Sequence, residues 1–509
     1  MASTEVLIVG AGPTGLVLAL WLTKLGVNVR IIDKAAAPGT TSRALAVQVR
    51  TLELYRQLGL SDAVAAKSHH VAAVSLWVKG ERKAHISLND LGKGLTPYPY
   101  VLIFPQDEHE KLLIERLEAL GVSVERRTEM VDFAEQSGSV VARLRGPDGE
   151  EHDCDALYIA GCDGARSKVR ETIGSGFPGG TYRHLFYVAD VDATGPAING
   201  DLNIDLDTAD FIAIFPLAGR GRARLIGTVK DERAERADTL TFGDISSHAI
   251  GQMKVAITRV NWFSTYHVHH RVTQHFRKGR AFVIGDAAHI HSPAGGQGMN
   301  TGIGDAINLA WKLAAVVKGR AGDALLDSYE AERIGFARKL VATTDAGFSF
   351  VTSDGLLAAF VRTRLAPIVI PAAFRIAAVR RFAFRTVSQT AISYHNGPLS
   401  RGTAGNVRGG DRLPWVTVDG ADNFAALPSL DWQVHVYGEA KAGLSAWCAE
   451  RSLALRVFSW RTEHEAAGLA RNAIYLLRPD TYVALADAGG AADALDRYFS
   501  EMGIRPPAQ

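Results

Sequence analysis

A β-branched run at residues 5–9 meets Gly10, Gly12 and Gly15 without a break, and that junction limits what the chain can fold into. The run is short and β-branched, so it reads as a strand, while residues 13–25 are apolar on nearly all sides and read as a buried helix. Residues 29–32 form a second strand that ends at Asp33. Strand, glycine turn, buried helix and second strand make a βαβ unit, which implies a parallel sheet covered on both faces. GxGxxG in that setting cradles a dinucleotide. Gly10 allows the tight turn, Gly12 lets the backbone approach the pyrophosphate, and Gly15 permits close packing of helix on strand. The helix opens at Pro13 and Thr14, where unpaired N–H groups and the positive end of the helix dipole favour phosphate. Asp33, followed by Lys34, stands where a carboxylate can accept from ribose hydroxyls.

Composition sets further bounds. Of 509 residues 47% are hydrophobic and 22% charged, the balance of a globular chain, long enough for roughly two to four domains. A formal net charge of +2 argues against a strong bias toward nucleic acid or acidic membrane surfaces. Cys154, Cys162 and Cys448 have no metal or redox spacing, and an odd count suits a reducing compartment. Residues 6–22 could pass for a signal peptide or a membrane span, but no basic flank precedes them and glycines and a proline interrupt them. The expectation is a cytoplasmic protein with no integral membrane segment and no nucleic-acid partner.

Further along, 106–120 reads as a helix, with 139–144 and 156–160 as strands returning to the sheet. From 177 to 271 short alternating runs, among them 211–216 and 223–229, read as antiparallel strands of a sheet inserted into the nucleotide-binding domain. The chain returns with a strand at 281–284, a helix at 299–317 and helical character over 326–342. Residues 356–385 are apolar but carry Arg362, Arg364, Arg380 and Arg381 with Pro367 and Pro371. A basic amphipathic helix on a bilayer is one reading. Linking helices packed on the core and broken at the prolines are the preferred one. After a glycine-rich stretch at 397–410, strand runs at 432–437, 455–460, 473–477 and 482–486 make a separate small α/β domain. The expected division is 1–176 and 272–395 for the nucleotide-binding domain with its linking helices, 177–271 for the inserted sheet, and 396–509 for the C-terminal domain.

Two later stretches complement the first. In 163–170 (DGARSKVR) Asp163 and Gly164 follow a strand and can present carboxylate and backbone to a sugar-phosphate. Ser167 can cap the next helix and Arg170 can pair with Asp163 or with a phosphate; an ordinary capped helix start would look the same. In 285–300 (GDAAHIHSPAGGQGMN) Asp286 comes just after a strand, where it can accept from hydroxyls of a ribityl chain. Residues 293–298 form a rigid, side-chain-poor loop into a helix, and Gly295, Gly296 and Gly298 let the backbone lie flat beside an isoalloxazine ring. The loop N–H groups and the helix dipole can stabilise anionic reduced flavin. His289 and His291 are read as packing or hydrogen-bonding residues behind that ring. Three pieces with complementary chemistry point to one bound flavin.

With GAGPTGL at 10–16, SRALAVQVRTLE at 42–53, DGARSKVR, GDAAHIHSPAGGQGMNTGIGDAINLAWKL at 285–313 and SYEAER at 328–333, the whole chain resembles the class A flavoprotein monooxygenases, the FAD-dependent aromatic hydroxylases. Gly335 departs from the pattern, standing where many members have proline, which bears on the helix there more than on chemistry. The resemblance implies an α/β multidomain fold. It has a Rossmann-like FAD-binding domain, an inserted antiparallel β-sheet substrate domain and a thioredoxin-like C-terminal domain, as in the longer polyketide- and phenol-hydroxylase branch. FAD is the implied cofactor. NAD(P)H is an implied transient co-substrate, since no second GxGxxG of comparable quality is present.

Residue roles follow from the same resemblance. Gly10, Gly12, Pro13, Thr14 and Gly15 would hold the pyrophosphate, and Asp33 with Lys34 the adenosine end. Arg43 would approach the flavin and its phosphates, Gln106 the ribityl-phosphate region, Asp163 both FAD and reduced nicotinamide, and Asp286 the ribityl chain. Pro293, Gly296, Gly298, Met299 and Asn300 would border the flavin ring, with Pro293, Gly296 and Gly298 at the catalytic face. The implied reaction uses NAD(P)H and O2 to hydroxylate a phenolic or polyketide-like aromatic through a flavin hydroperoxide. Epoxidation, Baeyer–Villiger or ring-opening chemistry, a non-oxygenating flavin dehydrogenase or oxidase, and a non-enzymatic FAD sensor are the alternatives. Substrate contacts are expected from the inserted sheet, with Phe211, Phe215 and Tyr187 as candidates, from the flavin-facing loop and from residues 348–350; no general base stands out. A single cysteine, Cys448, excludes CxxC chemistry in the C-terminal domain, leaving a structural role or the contact of a homodimer.

Overall fold

A computed structural model describes residues 4–39, 44–206, 211–229, 240–245, 248–292, 294–352 and 355–506. The strand Thr4–Val9 lies inside the first sheet, paired in parallel with Val29–Asp33 on one side and Glu151–Gly161 on the other. Glu151–Gly161 pairs in turn with Ala281–Val283, again in parallel. Registers place Val9 opposite both Ile32 and Gly161, and Gly161 opposite Val283. All these strands therefore end at one level, and Gly10, Asp33, Asp163 and Asp286 leave the same sheet edge. Ligands of open parallel sheets bind beyond that edge. The helix Pro13–Lys24 has no polar face to give to water, and Leu16, Val17, Leu18 and Trp21 are wholly buried. It is covered by the helices Gln106–Glu118 and Gly298–Val317.

The second sheet has eight strands in the order His289–Ile290, Ala256–Val272, Gly179–Thr194, Arg222–Val229, Ile212–Pro216, Leu202–Asp205, Ala73–Val78, Glu81–Ser87. It is antiparallel except where Leu202–Asp205 runs parallel to Ala73–Val78. Residues 73–87, assigned from sequence to the nucleotide-binding domain, thus belong to the inserted sheet. Leu202–Asp205 carries the buried Asn203, whose side-chain oxygen accepts from Trp77 Nε1 at 2.9 Å, so that strand needs a partner from a distant stretch.

The third sheet runs Val407–Arg408, Arg401–Ala404, Val483–Asp487, Ile474–Leu477, Gln433–Tyr437, Ala454–Phe458. Its first two strands lie in the glycine-rich stretch 397–410, where Gly405 (φ +62) makes the hairpin turn between them. The C-terminal domain is anchored on the FAD-binding side by Trp432 edge-on to Trp311 at 5.6 Å and by buried ion pairs of Arg478 with Glu332 and Arg412 with Glu53.

The linking segment differs from expectation. Helices Leu356–Phe360, Ala366–Ala373 and Ala377–Val387 and the π-turn Val361–Leu365 fill it, with Pro367 in the first turn of one helix and Pro371 inside it. A proline in a first turn gives up an N–H that has no helical partner anyway, so Pro367 does not break the chain. The bend falls at 374–376, which contains no proline. Ala366 and Phe384 pack inward, but Leu357 (77% exposed), Ile368 (70%) and Phe382 (73%) face outward, so the packing on the core is only partial. Among the described residues no single helix is long and apolar enough to cross a membrane. The preceding helix, Asp327–Thr352, extends beyond the 326–342 read from sequence.

His109 and His435, in different domains, are both wholly buried, and burial pushes each down to about 3. Folded values below the unfolded ~6.5 mean that the stability of the neutral forms is complete above pH 6.5 and is lost as pH falls toward 3. Each costs about 2 kcal/mol at pH 5. The melting temperature, followed by calorimetry, should therefore drop clearly between pH 7 and pH 5; a flat profile over that interval would contradict the buried neutral imidazoles.

Candidate active site

The phosphate loop divides its demands among three glycines. A Cβ on Gly10 would overlap the Cys162 carbonyl and one on Gly15 the Gly10 carbonyl, so both are required by the protein's own packing. A Cβ on Gly12 would meet no described atom within 4 Å, and its φ of −75° suits any residue. The space above Gly12 is free for a ligand to occupy. Pro13 stands in the first turn of the helix. The Thr14 hydroxyl fills the positions that Cβ atoms on Gly285 and Gly302 would take, which packs the first motif directly on the third.

Asp33 accepts from Ala11 N (2.8 Å) and Ala35 N (2.8 Å) and lies 3.7 Å from Arg126, so its carboxylate also braces the glycine loop. Lys34 beside it is exposed. Gln106 starts its helix, with its N–H on Ala44 O (3.2 Å) and its side-chain amide donating to Glu110 (2.8 Å). Asp163 Oδ2 accepts from Lys168 N (2.7 Å) and Val169 N (3.2 Å), while its Oδ1 is buried without a partner among the described residues. Burial raises its pKa above the ordinary aspartate value. A buried oxygen left open at this edge fits a ligand hydroxyl or N–H.

Ser167 caps the helix Lys168–Thr172 by accepting from Arg170 N at 2.9 Å. Among the described residues the Arg170 guanidinium makes no hydrogen bond to Asp163. It donates to Ala287 O (2.8 Å) and Ala165 O (2.8 Å) and stacks on Phe177, tying the second motif to the third. Asp286 is exposed on the turn Gly285–Ala287. Arg43 and Pro293 lie outside the described residues.

Gly295 (φ +75) and Gly296 (φ +62) turn the chain into the helix Gly298–Val317, and a Cβ on Gly296 would crowd Ala46 at 2.7 Å. The first N–H groups of that helix, from Gly298 and Met299 onward, point back along its axis at the turn. The Asn300 side chain is spent on the protein. Its oxygen accepts from Gln48 N and Thr51 Oγ1, both at 2.8 Å, and its nitrogen donates to Ala46 O (2.8 Å) and Gly296 O (2.9 Å). Asn300 fixes the turn's shape and can reach a ligand only through its backbone.

His289 is buried against Phe276, with Nε2 on Asp305 at 2.6 Å; Asp305 also takes Arg333 Nε at 2.5 Å and Gly285 N at 3.2 Å. It is a hydrogen-bonded support for the strand end at Gly285. His291 holds Ser292 O through Nδ1 at 2.7 Å, so Nε2 carries the lone pair, and burial pushes the ring down to about 4.

In the second sheet neighbouring residues face opposite sides. Tyr187 points into a core with Ile214, Leu225 and Met253, whereas Phe211 packs with Tyr182, Phe186, Tyr266 and Val268 on the other face. Phe215 sits with Leu45, Val71 and Ile103. Tyr182 donates to Asp345 of the helix Asp327–Thr352, and His270 stands edge-on to it at 4.8 Å. Tyr182 and Asp345 were missed from sequence. They lie 163 residues apart, and the strand Gly179–Thr194 has no clean alternation to mark its inner face. The side chains of 348–350 are outside the described residues.

A parallel sheet whose strand ends gather GxGxxG, three aspartates and a glycine-rich helix N-terminus, with a second sheet alongside, fits an FAD site, and the chain's relatives make it an FAD-dependent monooxygenase. The chain belongs to the FAD binding domain family, whose model matches residues 3–344. It is 37% identical over 425 residues to 6-methylpretetramide 4-monooxygenase of Streptomyces rimosus, covering 80% of this chain and 72% of that one. Rifampicin monooxygenase of Rhodococcus hoagii is 33% identical over 357 residues, 69% of this chain and 72% of the relative. Among solved structures, the OxyS anhydrotetracycline hydroxylase from Streptomyces rimosus superposes with a TM-score of 0.78 at 27% identity, covering 100% of both chains.

Proposed function

We propose that this enzyme hydroxylates a multi-ring phenolic polyketide, consuming NAD(P)H and O2. The observation that carries the reading is the 37% identity to a monooxygenase named for a pretetramide, with an anhydrotetracycline hydroxylase alike over the full length. Bound FAD, reduced by NAD(P)H, would supply the activation of O2 and the transfer of one oxygen atom to the ring. The Gly10–Gly12–Gly15 loop and the helix start at Pro13 and Thr14 would hold the pyrophosphate. Asp33 and Lys34 would face the adenosine end, Gln106, Asp163 and Asp286 the ribityl chain, and Gly296, Gly298 and Met299 the flavin ring. The chain's task is to orient a phenol between the second sheet and the 295–298 turn and to keep water out. Three unpaired, buried cysteines are in keeping with a reducing cytoplasm.

The test is NAD(P)H oxidation by the purified holoprotein across a panel of phenols and polyketide aromatics under labelled O2. Substrate-stimulated oxidation with one labelled atom in the product is expected. Hydrogen peroxide alone across the whole panel would overturn the hydroxylase reading in favour of an oxidase. Asp286→Ala, at an exposed position, should weaken FAD binding and abolish turnover while leaving far-UV circular dichroism unchanged. Full FAD content in that variant would refute the ribityl role.

A further inference from the structure

We infer that Gln389, on the segment leading into the C-terminal domain, is a positioning residue for the 295–298 turn; the inference rests on that turn facing the flavin. Gln389 is buried and held at φ +61, a conformation that side-chain-bearing residues adopt at a cost. Its amide donates to Gln297 Oε1 at 2.7 Å and to Thr301 Oγ1 at 3.0 Å. Gln297 completes the clasp, its own amide donating to Val387 O (2.8 Å) and Gly295 O (3.0 Å). Thr301 passes the hold on to Gln297 O at 2.9 Å. The turn is thus gripped from one side by Asn300 with Gln48 and from the other by a segment outside the nucleotide-binding fold.

That segment is linked to the C-terminal domain through Arg50. Ser388 O accepts from Arg50 N at 3.1 Å, and the Arg50 guanidinium donates to Asp480 O and Thr481 Oγ1, each at 2.9 Å, above the Tyr482 ring. A thioredoxin-like domain without its dithiol therefore has a route to the flavin-facing turn through buried hydrogen bonds. Such bonds hold geometry because an unmade one leaves a buried polar group unsatisfied.

The experiment uses full-length holoprotein with Gln389→Met, which keeps the length and backbone cost but removes the amide, and Thr301→Val, isosteric and lacking the acceptor. Asn300→Ala serves as comparator, since it opens the turn from the other side. The readouts are the visible flavin spectrum and the midpoint potential by dye equilibration, which a purely structural peg would not move. Gln389→Met should change the ratio of affinities for oxidised and reduced FAD about tenfold, or about 30 mV for a two-electron couple, with a smaller shift in Thr301→Val. A wild-type spectrum and potential in both variants, whatever the melting temperature does, would overturn the inference. If Asn300→Ala moves the potential and these two do not, Gln389 alone is misassigned. If none of the three moves it, the turn does not face the flavin, and the site reading fails with it.

Discussion

Gly12→Val is expected to leave the fold standing while removing its FAD. The position is extended, so valine brings no left-handed strain, and no described protein atom lies within 4 Å of the new Cβ. Two methyl groups would fill the space into which the first N–H groups of the helix Pro13–Lys24 point. The pyrophosphate would lose close backbone approach, and affinity should fall at least about a hundredfold, roughly 2.8 kcal/mol. Gly15→Ala is the informative contrast. Its Cβ would overlap the Gly10 carbonyl and lie 3.2 Å from Cys162 Cβ, so the helix must move off the sheet and the fold itself should suffer. Isothermal titration of FAD into apoprotein, with melting temperatures of both variants, separates the two cases. Gly12→Val that binds FAD like wild type would mean the nucleotide lies elsewhere.

The contrast also shows where sequence reasoning reached and where it stopped. The first βαβ unit was legible because local features coincide: a β-branched run, glycines at fixed offsets, a helix apolar all round and an acid at the next strand end. Each later motif was legible as chemistry, yet its partners were not. Arg170 looked available to a carboxylate or phosphate, and only the fold shows Ala287 O within 2.8 Å of it. Asn300 reads from sequence as a border of the ring, and nothing local shows that its side chain makes four bonds to the protein. Residues 73–87 could not be assigned to the inserted sheet, because the pairing of Leu202 with Val74 is fixed by long-range registry and burial, with no local pattern. Gln389 sat in a segment with no motif, and its importance comes entirely from what it touches.

The largest stability effect is expected at Glu332, in the SYEAER stretch and given no chemical role from sequence. Its carboxylate accepts from Arg478 (2.6 Å and 3.0 Å), Lys312 (2.8 Å) and Asn308 (2.7 Å), all wholly or almost wholly buried between the nucleotide-binding and C-terminal domains. Burial alone would raise its pKa, but Arg478 and Lys312 hold it down to about 2. Burial pushes Lys312 down to about 8 even with Glu332 beside it. Glu332→Gln keeps the shape and removes the charge, leaving two buried cations with Asp480 as the remaining acid beside Arg478. Breaking such a cluster from one side costs about 3–5 kcal/mol. In the variant, without Glu332's charge, the folded pKa of Lys312 should fall further below its unfolded ~10.4. A depressed lysine gives stability that is complete above the unfolded value and lost as pH falls to the folded one. The variant should therefore regain more stability between pH 7 and pH 9 than the wild type, up to about 3 kcal/mol. The wild type gains only about half as much, because its lysine is still mostly charged at pH 7. Urea titrations at both pH values, following tryptophan fluorescence, to which Trp432 and Trp311 at the seam contribute, read the effect directly. A Glu332→Gln protein as stable as wild type at pH 7 would show that the interdomain ion cluster contributes nothing to holding the C-terminal domain in place. Adding Lys312→Met to the variant should restore stability at pH 7 and abolish the extra alkaline gain, since it removes the unpaired cation itself.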